Sequence, residues 1–309
     1  MEVFPMHRLP IALLLALAAT SMPPAVAAQE SCKGLRYGEG ERAVCLTQGE
    51  SSFADAVVSF KPGKRAAAGT AAKPAHTLGK PDYTMPSAPG FLALGCDGEL
   101  VVRFDDNALV QSAGPDLYIF EVGPDVEATE VAVSIDGGTW IEVGRVEGAR
   151  SDLELKGLIE DDQSYRFVRL RNAGTDCAGR YPGADIDAVA AVGSALRLSL
   201  DSAVLFDVGS AELKPAARDE LLKVAGLIKA RNGKGAIRIE GHTDGDGDAA
   251  MNLALSQRRA QSVLDFMAAE AGLDRQRMQS IGAGESRPVV ANDSVANKAR
   301  NRRVEIIVR

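Results

Sequence analysis

The stretch Ile239-Glu240-Gly241-His242-Thr243-Asp244, continued by Gly245-Asp246-Gly247 and by Asn252-Leu253-Ala254-Leu255-Ser256-Gln257-Arg258-Arg259-Ala260, decides the fold of the second half of this chain. Ala236–Glu240 alternates as a strand does, and the glycine-rich run after it predicts a tight loop that carries Asp244. A long helix is expected next, from about Asp248 to Glu270. At 100° per residue, Asn252, Ser256 and Arg259 return to one face within roughly 60° of each other, because spacings of four and seven bring helical side chains into register. Leu253, Ala260, Leu264 and Met267 form the apolar stripe expected beside them. Polar groups at the border of a buried stripe can meet a ligand while packing holds them in place.

The same texture extends in both directions. Leu196–Phe206 reads as a strand, and Pro215 sits where a first helical turn would begin. Leu221, Val224, Ala225 and Ile228 then repeat at helical spacing. Met278–Gly282 is strand-like, Asp293–Arg300 suits a short helix, and Val304, Ile306 and Val308 alternate as a closing strand. The resulting order, β-α-β-α-β-(α)-β, implies helices packed on one sheet.

Upstream the pattern is different. Six short strands are expected at Glu99–Phe104, Asp116–Val122, Glu130–Ile135, Thr139–Val143, Tyr165–Arg171 and Ile186–Val192, separated by Gly, Pro and Asp turns. That spacing predicts an antiparallel β-sandwich. A transmembrane barrel of similar length would need strands of roughly 9–11 residues and aromatic girdles, whereas these strands are shorter and the chain has a single Trp, Trp140. Residues 1–28 read as an export signal, with His7 and Arg8 before an apolar run and Ala25-Val26-Ala27-Ala28 at its exit. The run falls short of the roughly 20 residues a membrane span needs.

All four cysteines, Cys32, Cys45, Cys96 and Cys177, precede residue 196. An even count in an exported chain favours two disulfides, and Cys32–Cys45 with Cys96–Cys177 is the pairing expected here. Of 309 residues, 46% are hydrophobic and 25% charged, the balance of a globular protein, with a formal net charge of −7 that argues against nucleic acid. Residues 1–195 carry 17 basic against 27 acidic side chains, and residues 196–309 carry 18 against 15. The three histidines, His7, His76 and His242, exclude a histidine-rich metal centre.

A carboxylate at Asp244 and a guanidinium at Arg259 together complement a zwitterionic amino-acid end, one taking its ammonium and the other its carboxylate. The same spacing lets the two side chains pair with each other across the loop, and spacing alone leaves both arrangements open. Asp244, Asp246 and Asp248 imitate the opening of a calcium loop, but Ala249 and Leu255 occupy the positions that need Gly and Glu. His242 reads as a hydrogen-bonded structural histidine.

The segment from Leu196 to Arg309 resembles the OmpA-like peptidoglycan-binding domain. The resemblance rests on Leu205-Phe206-Asp207 with Ser210, Ala211 and Leu213; Gly241-His242-Thr243-Asp244 with Gly247; Asn252 with Leu255-Ser256 and Arg259-Ala260; Gly282-Ala283-Gly284-Glu285 with Pro288; and Asn301-Arg302-Arg303-Val304-Glu305. It implies that Asp244 and Arg259 hold the diaminopimelate of the peptidoglycan stem peptide. It also implies that Phe206, Asp207, Thr243 and Asn252 surround that pocket and that Arg302 or Arg303 closes its edge. Asn297-Lys298 departs from the family's usual Gly-Arg, which would loosen the final turn.

The upstream region resembles galactose-binding-like, discoidin-type jelly rolls through Leu78-Gly79-Lys80-Pro81-Asp82, Gly114-Pro115-Asp116, Ser134-Ile135-Asp136-Gly137 with Trp140, and Asp185-Ile186-Asp187. Asp116, Glu121, Asp185 and Asp187 offer oxygens of the kind calcium takes; as turn-forming residues they would instead bind local backbone N–H groups. Trp140 is expected in the core. The expectation is therefore an α+β multidomain envelope protein: a signal at 1–28, a jelly-roll-like β-sandwich at 29–193, and an OmpA-like domain at 196–309. No catalytic residues and no cofactor are expected, calcium in the N-terminal part apart, and its partners would be peptidoglycan and a glycan or protein ligand of the sandwich. A wall-anchored enzyme or an outer-membrane barrel with a periplasmic wall-binding domain are the rival readings.

Overall fold

The computed structural model describes residues 32, 34–38, 43–83, 90–123, 126–148, 151–160, 163–174, 179–230 and 235–309. The expected signal at 1–28 lies outside them, as does Cys177. Residues 32–309 form one compact unit, and among the described residues no helix is long and apolar enough to cross a membrane.

The N-terminal half is built from strands β1 (Leu35–Tyr37), β2 (Val44–Leu46), β3 (Ala56–Lys61), β4 (Leu92–Ala93), β5 (Glu99–Arg103), β6 (Asn107–Leu109), β7 (Leu117–Glu121), β8 (Val126–Ser134), β9 (Ile141–Gly148), β10 (Asp152–Leu153), β11 (Phe167–Asn172) and β12 (Asp185–Ala191). All six expected strands are present with ends shifted by a few residues. They form two antiparallel sheets, β10-β7-β12-β4 and β3-β5-β11-β8-β9. Leu117, Ile119 and Ile186 of the first sheet share a core with Leu100, Val102, Val131, Val133, Val168 and Leu170 of the second. Alternation along β7 sends Tyr118 and Phe120 to the opposite face, where Phe53, Val44 and Leu46 cover them. The Cys32–Cys45 disulfide ties off that cover. Cys96 is also disulfide-bonded. Trp140 lies half-buried rather than in the core, with the Arg169 guanidinium 4.8 Å from its ring centre.

The calcium candidates do not converge. Asp116 accepts from Ser112 N and Oγ and from Leu155 N, Glu121 from the backbone of Glu127 and Asp185, and Asp187 from Asp82 N and Tyr83 N. Glu121 and Asp185 adjoin, with Glu121 Oε2 and Asp185 Oδ1 buried and without a hydrogen-bond partner, but among the described residues these carboxylates do not bring three ligand atoms together. Among the described residues, only Glu240, His242 and Glu305 bring three potential ligand atoms within 4.8 Å of one another.

The C-terminal half continues with β13 (Ser194–Asp201), α1 (Ser202–Leu205), α2 (Ala217–Ala230), β14 (Ile237–His242), α3 (Ala249–Ala269), β15 (Met278–Gly284), α4 (Val295–Asn301) and β16 (Arg303–Val308). The first strand is shorter than expected, because Asp201 turns the chain into α1 by accepting from Ala203 N. The sheet order is β15-β14-β16-β13-β6. The fifth strand was not anticipated: Asn107–Leu109, from the N-terminal half, pairs antiparallel with β13.

This sheet has two unlike faces. Leu196, Leu200, Ile237, Ile239, Val304, Ile306 and Val308 bury against α2 and α3. The alternate positions are Arg197, Arg238, Glu240, His242, Arg303 and Glu305. Here Arg197 binds Glu305 through two nitrogens, Arg303 binds the same carboxylate, and Arg238 binds Glu240. Arg197 also donates to the Asp105 carbonyl, and Val110, Ala195 and Ile307 seal the junction with a small apolar cluster. His242 is fully buried in this layer with neither ring nitrogen hydrogen-bonded, its Nε2 3.6 Å from Glu240 and 4.0 Å from Glu305. It is therefore not the hydrogen-bonded histidine expected from sequence. Burial and the Arg303 charge push its pKa well below the ordinary value, so the ring is neutral.

Two predictions with opposite pH signs follow from these carboxyls. Burial opposes ionisation of Glu305, but the charges of Arg197 and Arg303 overcome it and hold the carboxyl well below its usual range. A depressed folded-state value stabilises the fold above the ordinary carboxyl pKa, and that contribution is lost only as pH falls through the depressed value. Glu305→Gln should therefore destabilise the chain by about 3–5 kcal/mol at neutral pH, the cost of breaking a buried ion pair. In denaturant titrations the gap from wild type should shrink only at strongly acid pH, and equal stability at pH 7 would refute the assignment. Asp185 behaves oppositely. Burial, then the Glu127 charge, raise it to about 8, so the folded state holds a proton that the unfolded chain has released and stability falls as pH rises from about 4 towards 8. Asp185→Asn should flatten that slope in melts between pH 5 and 9, and an unchanged slope would count against it.

Candidate functional site

At the end of β14 the ladder to β15 shifts register between Gly241 and His242, and Thr243 N donates to the Gly284 carbonyl at 2.9 Å. The next helix lies very close. A Cβ on Gly241 would sit 2.1 Å from the Ser256 carbonyl oxygen, and one on Gly282 would sit 2.6 Å from Gln257 N. Glycine at these two positions lets α3 rest directly on the strand ends. Ser256 fastens the contact, its Oγ donating to Leu253 O and accepting from Gly284 N. Asp248 caps the helix by accepting from Met251 N. Leu253, expected in the apolar stripe, is 52% exposed, while Ala260, Val263, Leu264 and Met267 form the buried face.

Asp244 and Arg259 are both buried and near enough for the Asp244 charge to act on Arg259, but they do not pair with each other. Asp244 is 8% exposed, and its Oδ2 accepts from Arg302 Nη1 at 2.5 Å. Its Oδ1 accepts from Asp246 N at 3.2 Å. Arg302, 38% exposed at the side chain, is thus the partner of Asp244, whereas Arg303 belongs to the buried layer around Glu305. Arg259 is 5% exposed, lies with its guanidinium carbon 5.1 Å from the Phe206 ring centre, and donates from Nε to Ser210 O and from Nη2 to Asp207 O. Nη1 takes no part in these bonds, and Arg259 pairs with no carboxylate among the described residues. Burial, then the Arg302 charge, lower its pKa, while the Asp244 charge acts in the other direction.

The remaining candidates hold the frame. Asn252 Nδ2 donates to the carbonyls of Asp244 and Asp246 and to Glu285 Oε2, stapling the loop to the helix. Thr243 is buried with its hydroxyl unpartnered. Asp207 acts through its carbonyl; its carboxylate is 82% exposed, 3.7 Å from Lys214. Ser210, Glu285 and Lys298, named in the sequence only as motif positions, each bond a site residue or the site loop. Lys298 grips Asp246 at 2.7 Å, and Asn297 bonds Asp293 at 2.6 Å, so Asn297-Lys298 fastens the last helix and the site loop instead of loosening them. Arg258 is exposed on the next face of α3. The cluster therefore holds a carboxylate and a guanidinium whose Nη1 is uncommitted, in a setting where burial strengthens each interaction.

The OmpA family model matches residues 205–302, from the last residue of α1 to Arg302. The outer-membrane lipoprotein YfiB of Pseudomonas aeruginosa is 40% identical over 109 residues, which are 35% of this chain and 64% of that one. This chain spans about half of one further curated relative and a third of another. A solved structure of the cell wall anchor of the T6SS from P. aeruginosa aligns with 37% of this chain and 80% of its own at 35% identity, with a TM-score of 0.34. Outer membrane protein A of Citrobacter freundii is 31% identical over 172 residues, 52% of this chain and 68% of that protein. The family model falls on the strand, loop and helix that build the recess, and the chain belongs to the OmpA family.

Proposed function

We propose that this is a non-catalytic cell-envelope protein that binds peptidoglycan without a covalent link, through residues 196–309. The reading names the diaminopimelate side chain of the stem peptide as the group held, with its ammonium on Asp244 and its carboxylate on Arg259. One observation supports it: two oppositely charged, largely buried side chains lie within reach of each other's charge without forming an ion pair with each other. Arg259 keeps a free guanidinium edge because its other nitrogens are spent on the carbonyls of Asp207 and Ser210. Arg302 holds the Asp244 carboxylate in place. Kinship with outer-membrane and wall-associated proteins supports an envelope location. The N-terminal β-sandwich, jelly-roll-like in this reading, would present a second binding surface to a glycan or a protein.

Binding to purified sacculi is the test. Asp244→Ala or Arg259→Ala should weaken it roughly 30- to 4,000-fold, the equivalent of the ~2–5 kcal/mol lost when one partner of a desolvated charge pair is removed. Circular dichroism should show the fold unchanged, and sacculi lacking diaminopimelate should bind the wild type weakly. Arg258→Ala, on the exposed face, should leave affinity within about twofold, since a surface charge contributes little. Full binding by the Asp244→Ala, Arg259→Ala double variant would overturn the proposal.

A further inference from the structure

Six arginines converge on a cavity of about 400 Å³ where the two halves of the chain meet, away from the Arg259 recess. Arg103 and Arg166 come from the N-terminal half, Arg197 and Arg303 from the charged face of the second sheet, and Arg300 and Arg302 from the end of α4 and its C-cap. Only Asp105 and Asp201 among the lining residues carry negative charge. The inner carboxylates are each shared between two guanidiniums. Asp105 takes Arg103 through both oxygens and Arg166 through one, and the buried Glu305 behind the wall takes Arg197 and Arg303. Asp201 is engaged in capping α1. Arg300 is exposed at the mouth and pairs with no carboxylate among the described residues.

Three of these arginines are themselves buried: Arg166, Arg197 and Arg303. Burying like charges together is costly unless a counter-charge joins them. Burial and the neighbouring Arg197 charge already push the Arg166 pKa down to about 9. The volume lies within the roughly 300–1,000 Å³ typical of small-ligand pockets, well above the ~30 Å³ share of one water. Guanidinium forks suit the paired oxygens of carboxylates and phosphates alike.

We propose that this cavity is a second binding site, for a polyvalent oxyanion: a phosphate ester or a cluster of carboxylates on a small molecule or at the end of a polymer. The site exists only where the two halves are joined, since Arg103 and Arg166 complete what Arg197, Arg300 and Arg303 begin. It is separate from the wall-binding recess, sharing only Arg302, whose Nη1 is turned to Asp244.

Isothermal titration of the full chain at low ionic strength, with inorganic phosphate, tricarballylate and chloride as probes, tests the site. Saturable binding of phosphate alone assigns a phosphate ester, of tricarballylate alone a carboxylate ligand, and of both a general oxyanion site. Arg300→Glu, and independently Ser199→Glu at the exposed mouth, should weaken binding about tenfold or more, as inversion of charge balance among partly desolvated groups does. Arg258→Glu, on an exposed helix face, should change it less than about twofold. No saturable binding of either oxyanion, or an equal loss in Arg258→Glu, would overturn the proposal. Sacculus binding by Arg300→Glu is read separately, so failure here leaves the wall-binding assignment standing, and the reverse.

Discussion

Glu305 is the residue on which the architecture of the second half turns. A carboxylate almost fully removed from water persists only with charge and hydrogen bonds around it. Here Arg197 and Arg303 supply both, and each guanidinium spends its spare donors on backbone carbonyls: Asp105 in one case, Asn301 and Arg287 in the other. One buried negative charge thus fixes the middle of the sheet, the turn after α4 and the junction with the N-terminal half. It also explains why a sheet with helices on one face has no second apolar face. The charged layer needs a lid, and the first half of the chain provides it.

The recess around Asp244 depends on that same rigidity at one remove. Its two charges come from different elements, a loop after β14 and the third turn of α3, and glycine at 241 and 282 brings them together by removing two side chains. Arg302 and Arg303 are neighbours in sequence yet face opposite ways, one holding the Asp244 carboxylate and the other holding Glu305. A shift in β16 would therefore be felt at both places, which couples the pocket to the packing beneath it.

Much of this was legible in the sequence, for identifiable reasons. The strands and helices of the C-terminal half follow from clean periodicity, and the exposed position of Arg258 follows from helix geometry alone. Asp244 and Arg259 could be brought to one site by spacing, but not their partners. Arg302 lies 58 residues from Asp244, and the carbonyls that hold Arg259 lie 49 and 52 residues away. Nothing local marks such pairs. Leu253 was misplaced because an apolar side chain at a helix border has no signature of its own when the helix end is exposed. The acidic side chains of the first half stay open between two readings for a related reason: an aspartate that accepts from backbone N–H groups looks the same in sequence as one that holds a metal. Asn107–Leu109 is three residues long, too short for alternation to show, and its membership of the second sheet is a purely tertiary fact.

That short strand has a consequence for how the chain can be divided. Its pairing with β13 occupies the backbone groups at the start of that strand, from Ser194 to Leu196, and Arg197 N adds a bond to the Asp106 carbonyl. A chain that began after residue 193 would bare these groups as an open β-edge, and open edges recruit strands from other molecules. The N-terminal half therefore acts as an intramolecular guard for that end of the second sheet's edge.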